Sequence, residues 1–362
     1  MSFWLSRLAD SISNYMFAFT VPVEKQIDFL GILYSSPDSR VDAEGAKSVN
    51  EAFWEDFKTR IWLTYRKDFP SLLNKDGGTV GICSDSGWGC SIRATQMLLA
   101  QCLLTARLPR EWRLGSAEKK ELGEFRKIVN LFLDLPEAPF SVHRLVAIGD
   151  ELFGKRPSDW FGPTTGARAM THLFNRYAEE NQQVVSRLGA VTFDSGEIFT
   201  EEVQASLTTS TGGVILFLTH RLGLDYFNQA RYKTSIQKLF ACQFFQGLSS
   251  GESVASAYYF FAACDEFLYY LDPHTVQPAL VSADALLSAP KPLRMRWSRL
   301  NPSLNMGFLV RNISEFNSLC EFLTGLDSEL FEVRPSRPIR TEGTFVFSDP
   351  EDSEEADIIL IN

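Results

Sequence analysis

"SDSGWGCSIRATQM" (Ser84–Met97) sets two glycines and a tryptophan directly ahead of Cys90, where a helical apolar pattern begins. A cysteine in the first turn of a helix has its thiolate stabilised by the partial positive charge of the helix end. Its own N–H is free to bind an oxyanion. Gly87 and Gly89 allow a sharp turn and a close substrate backbone, and Trp88 can wall such a site. On this stretch alone Cys90 is either a buried helix-start residue or a nucleophile. The rest of the chain has to decide.

Downstream, Ile92, Met97, Leu98, Leu99, Cys102 and Leu103 give the helix one apolar side suited to burial. Upstream, "NEAFWEDFKTRIWLTYRKDF" (Asn50–Phe69) keeps helical spacing until Pro70, and "NKDGG" (Asn74–Gly78) reads as a loop. "AEKKELGEFRKIVNLFLDL" (Ala117–Leu135) and "PTTGARAMTHLFNRYAEEN" (Pro163–Asn181) read as two more helices, the second with Pro163 at its start. After Gly189 the character changes. "AVTFD" (Ala190–Asp194), "GGVILFLTH" (Gly212–His220), "ASAYYFFAAC" (Ala255–Cys264) and "EFLYYLD" (Glu266–Asp272) are short β-rich runs, and "DYFNQARYKTSIQKLFAC" (Asp225–Cys242) between them is helical. Helices first and strands later predict an α+β protein with a sheet packed on a central helix.

Bulk properties exclude several functions. The 362 residues, 45% hydrophobic, suffice for a large core or two fused domains. Six of the acids behind the net charge of −10 fall in Asp349–Asn362, which has no Lys or Arg, so the rest carries about −4. No basic cluster marks a nucleic-acid face. Six cysteines without a CxxC pair read as reduced thiols of a cytoplasmic protein, and their spacing from the four histidines gives no zinc site. No metal or other cofactor is expected. No apolar run reaches transmembrane length, and the N-terminus lacks a signal-peptide core. "MSFWLSRLADSISNYMF" (Met1–Phe17) is an amphipathic helix pattern, open to packing on its own domain, to membrane-surface or partner binding, or to a mitochondrial presequence.

A thiolate nucleophile needs a base and a group that orients the base. "EFLYYLDPHTVQP" (Glu266–Pro278) ends a strand at Asp272, with His274 two residues on. Residues two apart in extended chain point the same way, so the carboxylate can hold the imidazole. Alone, His274 reads equally as a turn histidine satisfied by backbone.

Five blocks in order, "TYRKDFP" (Thr64–Pro70), "SDSGWGCSIRATQMLLAQ" (Ser84–Gln101), "DWFGP" (Asp159–Pro163), "RLGLD" (Arg221–Asp225) and "YLDPHTVQP" (Tyr270–Pro278), resemble the signature blocks of the autophagins, the autophagy-related protein 4 family of cysteine peptidases. "PFSVHRL" and "NPSLNMGF" are weaker matches. The resemblance implies a papain-like cysteine peptidase fold with an additional small α-helical subdomain, within residues 25–340. An N-terminal amphipathic segment (1–24) and an acidic flexible tail (341–362) would flank it. It implies Cys90 as nucleophile, His274 as general base and acid, Asp272 as its orienting residue, and Tyr65 as an oxyanion donor beside the Cys90 N–H. Trp160 would cover the mouth of the site and clamp a glycine, with Trp88, Gly89 and Pro163 as further substrate-binding positions. The implied partner is the ubiquitin-like autophagy-related protein 8, cut after its C-terminal glycine, both as free precursor and as phosphatidylethanolamine conjugate, by a monomer in transient contact with membrane. A catalytically silent scaffold that binds the same modifier is the alternative.

The chain departs from the family in three places, one of them a loop between Tyr65 and Cys90 that is longer than is typical. Where members carry a Lys-Pro regulatory loop, this chain reads "LSSGESVASAYYFF" (Leu248–Phe261), so Ser253–Ala257 is expected to form a flap without a proline wedge. The C-terminal "EEADIILIN" (Glu354–Asn362) has Ala356 where a modifier-binding aromatic would stand. Its "DIIL" core is then a weak strand-adding motif or only a solubilising tail.

Overall fold

The computed structural model describes residues 26–35, 49–180, 187–253, 255–326 and 330–338. The amphipathic segment 1–24, the acidic tail 341–362 with its DIIL core, and the expected limits at 25 and 340 lie outside them. In chain order the described elements are β1 (Gln26–Phe29), β2 (Ile32–Ser35), α1 (Val49–Lys58), β3 (Arg66–Lys67), α2 (Cys90–Arg107), α3 (Lys119–Asn130), α4 (Val142–Phe153), α5 (Pro163–Glu180), β4 (Leu188–Phe193), β5 (Glu197–Phe199), α6 (Thr200–Thr209), β6 (Gly213–Arg221), α7 (Gln229–Ala241), β7 (Phe245–Ser250), β8 (Tyr258–Ala263), β9 (Phe267–Leu271), β10 (Gln277–Pro278), β11 (Leu293–Arg296), β12 (Ser303–Val310), α8 (Ile313–Thr324) and β13 (Glu332–Arg334).

Nine strands form a mixed sheet in the order β11-β9-β8-β7-β12-β6-β4, and the β1–β2 hairpin joins it through β8. Within that order only β4 and β6 run parallel. Every residue of β7, β8, β9 and β12 is buried, which requires cover on both faces. Helix α2 packs on β7, β8 and β12, while α7 packs on β7 and β8, and α8 on β12. Gly307 lets α2 approach β12, because a Cβ there would meet Leu98 Cδ1 at 2.7 Å.

The expected sheet on a central helix is present, but α2 has no solvent side. All of Cys90–Leu104 is buried, since α3, α4 and α5 pack against the flanks the sheet leaves. The helix read across Asn50–Phe69 is too long, because α1 ends at Lys58. Thr59 Oγ1 turns back onto Asp56 O at 2.6 Å, and Tyr65 N–H then donates to Pro273 O at 2.7 Å while Gln277 N–H donates to Tyr65 O at 2.9 Å. Ile61, Trp62, Leu63 and Tyr65 are all buried in this extended run, and burial on every side imitates helical spacing. Helices α4, α6 and α8 and strands β7 and β12 fall outside the expected pattern. Among the described residues no helix is long and apolar enough to cross a membrane.

Candidate active site

Cys90 is the first residue of α2, and Gly89, its cap, has no side chain to occupy the N–H groups of that first turn. Gly89 cannot be larger, since a Cβ would lie 2.6 Å from Asp85 Cβ and 2.8 Å from its Oδ2. Asp85 cannot withdraw, because its carboxylate accepts from Arg93 Nε at 2.6 Å and from Arg66 N–H at 2.5 Å. Gly89→Ala is therefore expected to destabilise the fold by about 1–3 kcal/mol through overpacking and to slow thiol labelling of Cys90. Thermal unfolding and alkylation rates check this.

His274 follows the end of β9, and Asp272 is its neighbour on the turn. His274 Nδ1 lies 2.6 Å from Asp272 Oδ1, and the same oxygen accepts the His274 backbone N–H at 2.9 Å. Trp62 Nε1 donates to Asp272 O at 2.8 Å, which fixes the turn against the extended run that carries Tyr65. The Tyr65 ring stands edge-on to His274, with centroids 5.3 Å apart. The Tyr258 ring takes the same attitude at 5.2 Å, a neighbour that only the "AYYFF" aromatic run hinted at.

The thiol of Cys90 feels His274 and Tyr65 directly. Burial alone would raise the Cys90 thiol, but its interactions with His274 and Tyr65 and the His274 charge bring it below its ordinary value. Burial would likewise depress His274, yet the bonds to Asp272 and Cys90 push it up to about 9. Burial, and then the negative charge of Cys90, raises Tyr65, so its phenol stays a hydrogen-bond donor. A lowered thiol beside a raised imidazole favours the thiolate and imidazolium form, which can attack an acyl carbon and then protonate a leaving amine.

Access to the sulfur is closed. Cys90 is 0% exposed and shares a small cluster with Tyr65, Ala94 and Ala257, against which Trp160 packs. Ala255 O lies 3.8 Å from Cys90 Sγ. The expected flap is thus braced by serine, with no proline: Ser256 Oγ accepts from Glu252 N–H at 2.9 Å and Ser253 N–H at 3.0 Å. Removing that hydroxyl in Ser256→Ala takes away both bonds and is expected to speed Cys90 labelling at least about fivefold, each bond being worth about 1 kcal/mol net. A rate equal to wild type would show that the hydroxyl does not hold the flap.

Of the other expected positions, Pro163 opens α5 and lines a narrow crevice with Trp160, Ser256 and Ala257. Trp88 stands elsewhere: its indole N–H donates to Ser84 O at 3.1 Å and its ring packs on the main core, so it does not join the cluster around Cys90.

The family model for the Peptidase C54 catalytic domain matches residues 50–322, which include Tyr65, Cys90, Trp160, Asp272 and His274. The chain is similar to the probable cysteine protease atg4 of Aspergillus oryzae, 32% identical over 305 residues that make up 76% of this chain and 72% of that protein. It is 30% identical to the probable cysteine protease ATG4 of Pichia angusta over 347 residues, 84% of this chain and 66% of that protein. Against the cysteine protease ATG4 of Pyricularia oryzae it is 36% identical over 293 residues, 72% of this chain and 58% of that protein. The chain thus spans between 58% and 72% of the length of these relatives.

Proposed function

Because the chain belongs to the peptidase C54 family, we propose that it is a papain-like cysteine endopeptidase with Cys90 as nucleophile, His274 as general base and acid, Asp272 as the residue orienting His274, and Tyr65 as an oxyanion donor. The Asp272–His274 hydrogen bond, set beside a helix-start cysteine whose thiol His274 lowers, carries this reading. Helices α3 and α4, packed on the side of α2 away from the sheet, are the candidates for the added helical subdomain.

The chemistry follows from the charges. The Cys90 thiolate attacks a carbonyl carbon, and the electron pair displaced onto oxygen is held by the Cys90 N–H and the Tyr65 hydroxyl. His274 gives its proton to the departing amine, leaving a thioester. The neutral imidazole then takes a proton from water, whose hydroxide releases the acid and restores the thiolate.

The proposed substrate is autophagy-related protein 8, as precursor or as phosphatidylethanolamine conjugate, cut after its C-terminal glycine. The narrow space between Trp160 and Ala257 supports a residue without a side chain at the scissile bond. Incubation with a precursor extended beyond the glycine is expected to yield, by mass spectrometry, a product ending at that glycine. No cleavage, or cleavage elsewhere, would overturn the reading. A silent scaffold is the second reading, favoured by one observation: the sulfur is wholly covered. A modifier bearing a thiol-reactive C-terminus separates the two. An adduct at Cys90 supports the peptidase, whereas tight binding with no adduct supports the scaffold.

A further inference from the structure

Directly beneath the candidate nucleophile, four charged side chains are sealed from solvent. Asp85, Arg93 and Asp134 are each 0% exposed and Arg66 is 2% exposed. Arg93, one helical turn past Cys90, places Nε 2.6 Å from Asp85 Oδ2 and Nη2 2.7 Å from Asp134 Oδ1. Two carboxylates and two guanidinium groups balance in charge, which offsets part of the cost of burying them.

Asp85, Asp134 and Arg66 are each tied to backbone near the site. Asp85 Oδ1 accepts the N–H of Arg66, the residue after Tyr65. Asp134 Oδ2 accepts the N–H of Leu280 at 2.7 Å, and Leu280 O accepts the Asp134 N–H at 2.8 Å. Arg66 Nη1 donates to Pro278 O at 3.1 Å, on β10, which pairs with the strand that carries Arg66. Both Pro278 and Leu280 belong to the segment that follows His274. One rigid guanidinium on α2 is therefore linked to the Tyr65 run through Asp85 and to the His274 segment through Asp134. These are the three pieces of chain that must converge on one sulfur. A fold needing only burial here could have used apolar side chains of like volume at lower risk.

We propose that Arg93, held between Asp85 and Asp134, is a positioning residue that fixes the reach of His274 and Tyr65 to Cys90. The inference rests on the catalytic reading of Cys90 and His274. It adds three residues, Asp85, Arg93 and Asp134, that touch no reacting atom. The planar fork matters as much as the charge, because a lysine at position 93 reaches one carboxylate and not both.

The test uses the full chain carrying Arg93→Lys or Asp134→Asn, with thermal unfolding recorded alongside. Expected are KM within about twofold of wild type, kcat down about 10–100-fold, as for a misplacement of order 1 Å, and a midpoint of the pH dependence of Cys90 alkylation that moves up toward an ordinary thiol. The midpoint is read in place of the absolute rate because flap opening scales the rate at every pH. Folded variants with wild-type kcat and midpoint would overturn the inference. Should both fail to fold, Arg66→Met keeps Arg93 between its two carboxylates and removes the link to Pro278 together with the 3.9 Å ion pair to Asp134. It is expected to lower kcat severalfold at constant KM, and an unchanged kcat would again overturn the proposal. A wild-type protein whose thiol titrates ordinarily would instead sink the catalytic pair itself, so the two failures are distinguishable.

Discussion

Replacement of Cys90 by serine is expected to remove cleavage as completely as replacement by alanine, with kcat/KM down at least about 10⁴-fold. The physical ground is the state of His274. Asp272 and the sulfur hold its imidazole protonated up to about 9, so near pH 7 it is a proton donor with no free lone pair for a base. A thiolate needs no base at the moment of attack, whereas a serine hydroxyl does. In the serine variant the sulfur's negative charge is gone, and with it part of what keeps the imidazole charged, but the hydroxyl remains a far poorer nucleophile than the thiolate it replaces. Modifier binding and the unfolding midpoint are expected to stay near wild type, because the hydroxyl occupies the space of the thiol. A serine variant retaining more than a few per cent of activity, or clearly outperforming alanine, would remove thiolate attack from the mechanism.

How much of this could be read from the chain depends on how local each signal is. The Cys90 helix start and the Asp272–His274 pair were legible because a glycine-flanked cysteine and an Asp-x-His turn are short-range patterns whose geometry the backbone fixes. Their meeting was not: nothing in the spacing of residues 90 and 274 brings them together, and only the block resemblance pointed that way. The run from Ile61 to Tyr65 misled because a segment buried on all sides carries apolar residues at every spacing, and its extended form is imposed by backbone bonds with Pro273 and Gln277. Strand β12 escaped for a similar reason, since Asn305 and Gly307 interrupt its apolar pattern where it faces β6 and β7 on its two edges. Asp85 and Arg93 carried a faint signal, opposite charges eight residues apart around Cys90 in a stretch otherwise suited to burial. Charge in such a stretch reads as solvent-facing until tertiary partners such as Asp134 are known. Trp88, beside the cysteine in sequence, is half-buried with its ring packed on the main core.

Asp272→Asn carries the second large effect and separates orientation from charge. In wild type, Asp272 Oδ1 accepts two hydrogen bonds from His274, one from the ring and one from the backbone. An asparagine oxygen can keep the backbone bond but supplies no charge to the imidazolium, and its amide group can favour the wrong ring tautomer. Loss of an equivalent carboxylate in hydrolytic triads costs roughly 10²–10⁴-fold in kcat, and a loss of that order is expected here. The sign of the pH effect follows from which form is required. The thiolate and imidazolium pair forms above the lowered thiol value and is lost as pH rises through about 9, where His274 gives up its proton. Without the carboxylate the imidazole returns toward its ordinary value near 6.5, so the upper limit of the pair moves to lower pH while the thiol limit rises. The ratio of wild-type to variant activity is therefore expected to grow between pH 6 and 8.5 in cleavage profiles taken at saturating substrate. An alkaline limb unmoved in Asp272→Asn would mean that the carboxylate holds the turn and nothing more, and the raised imidazole would then have to come from the sulfur alone.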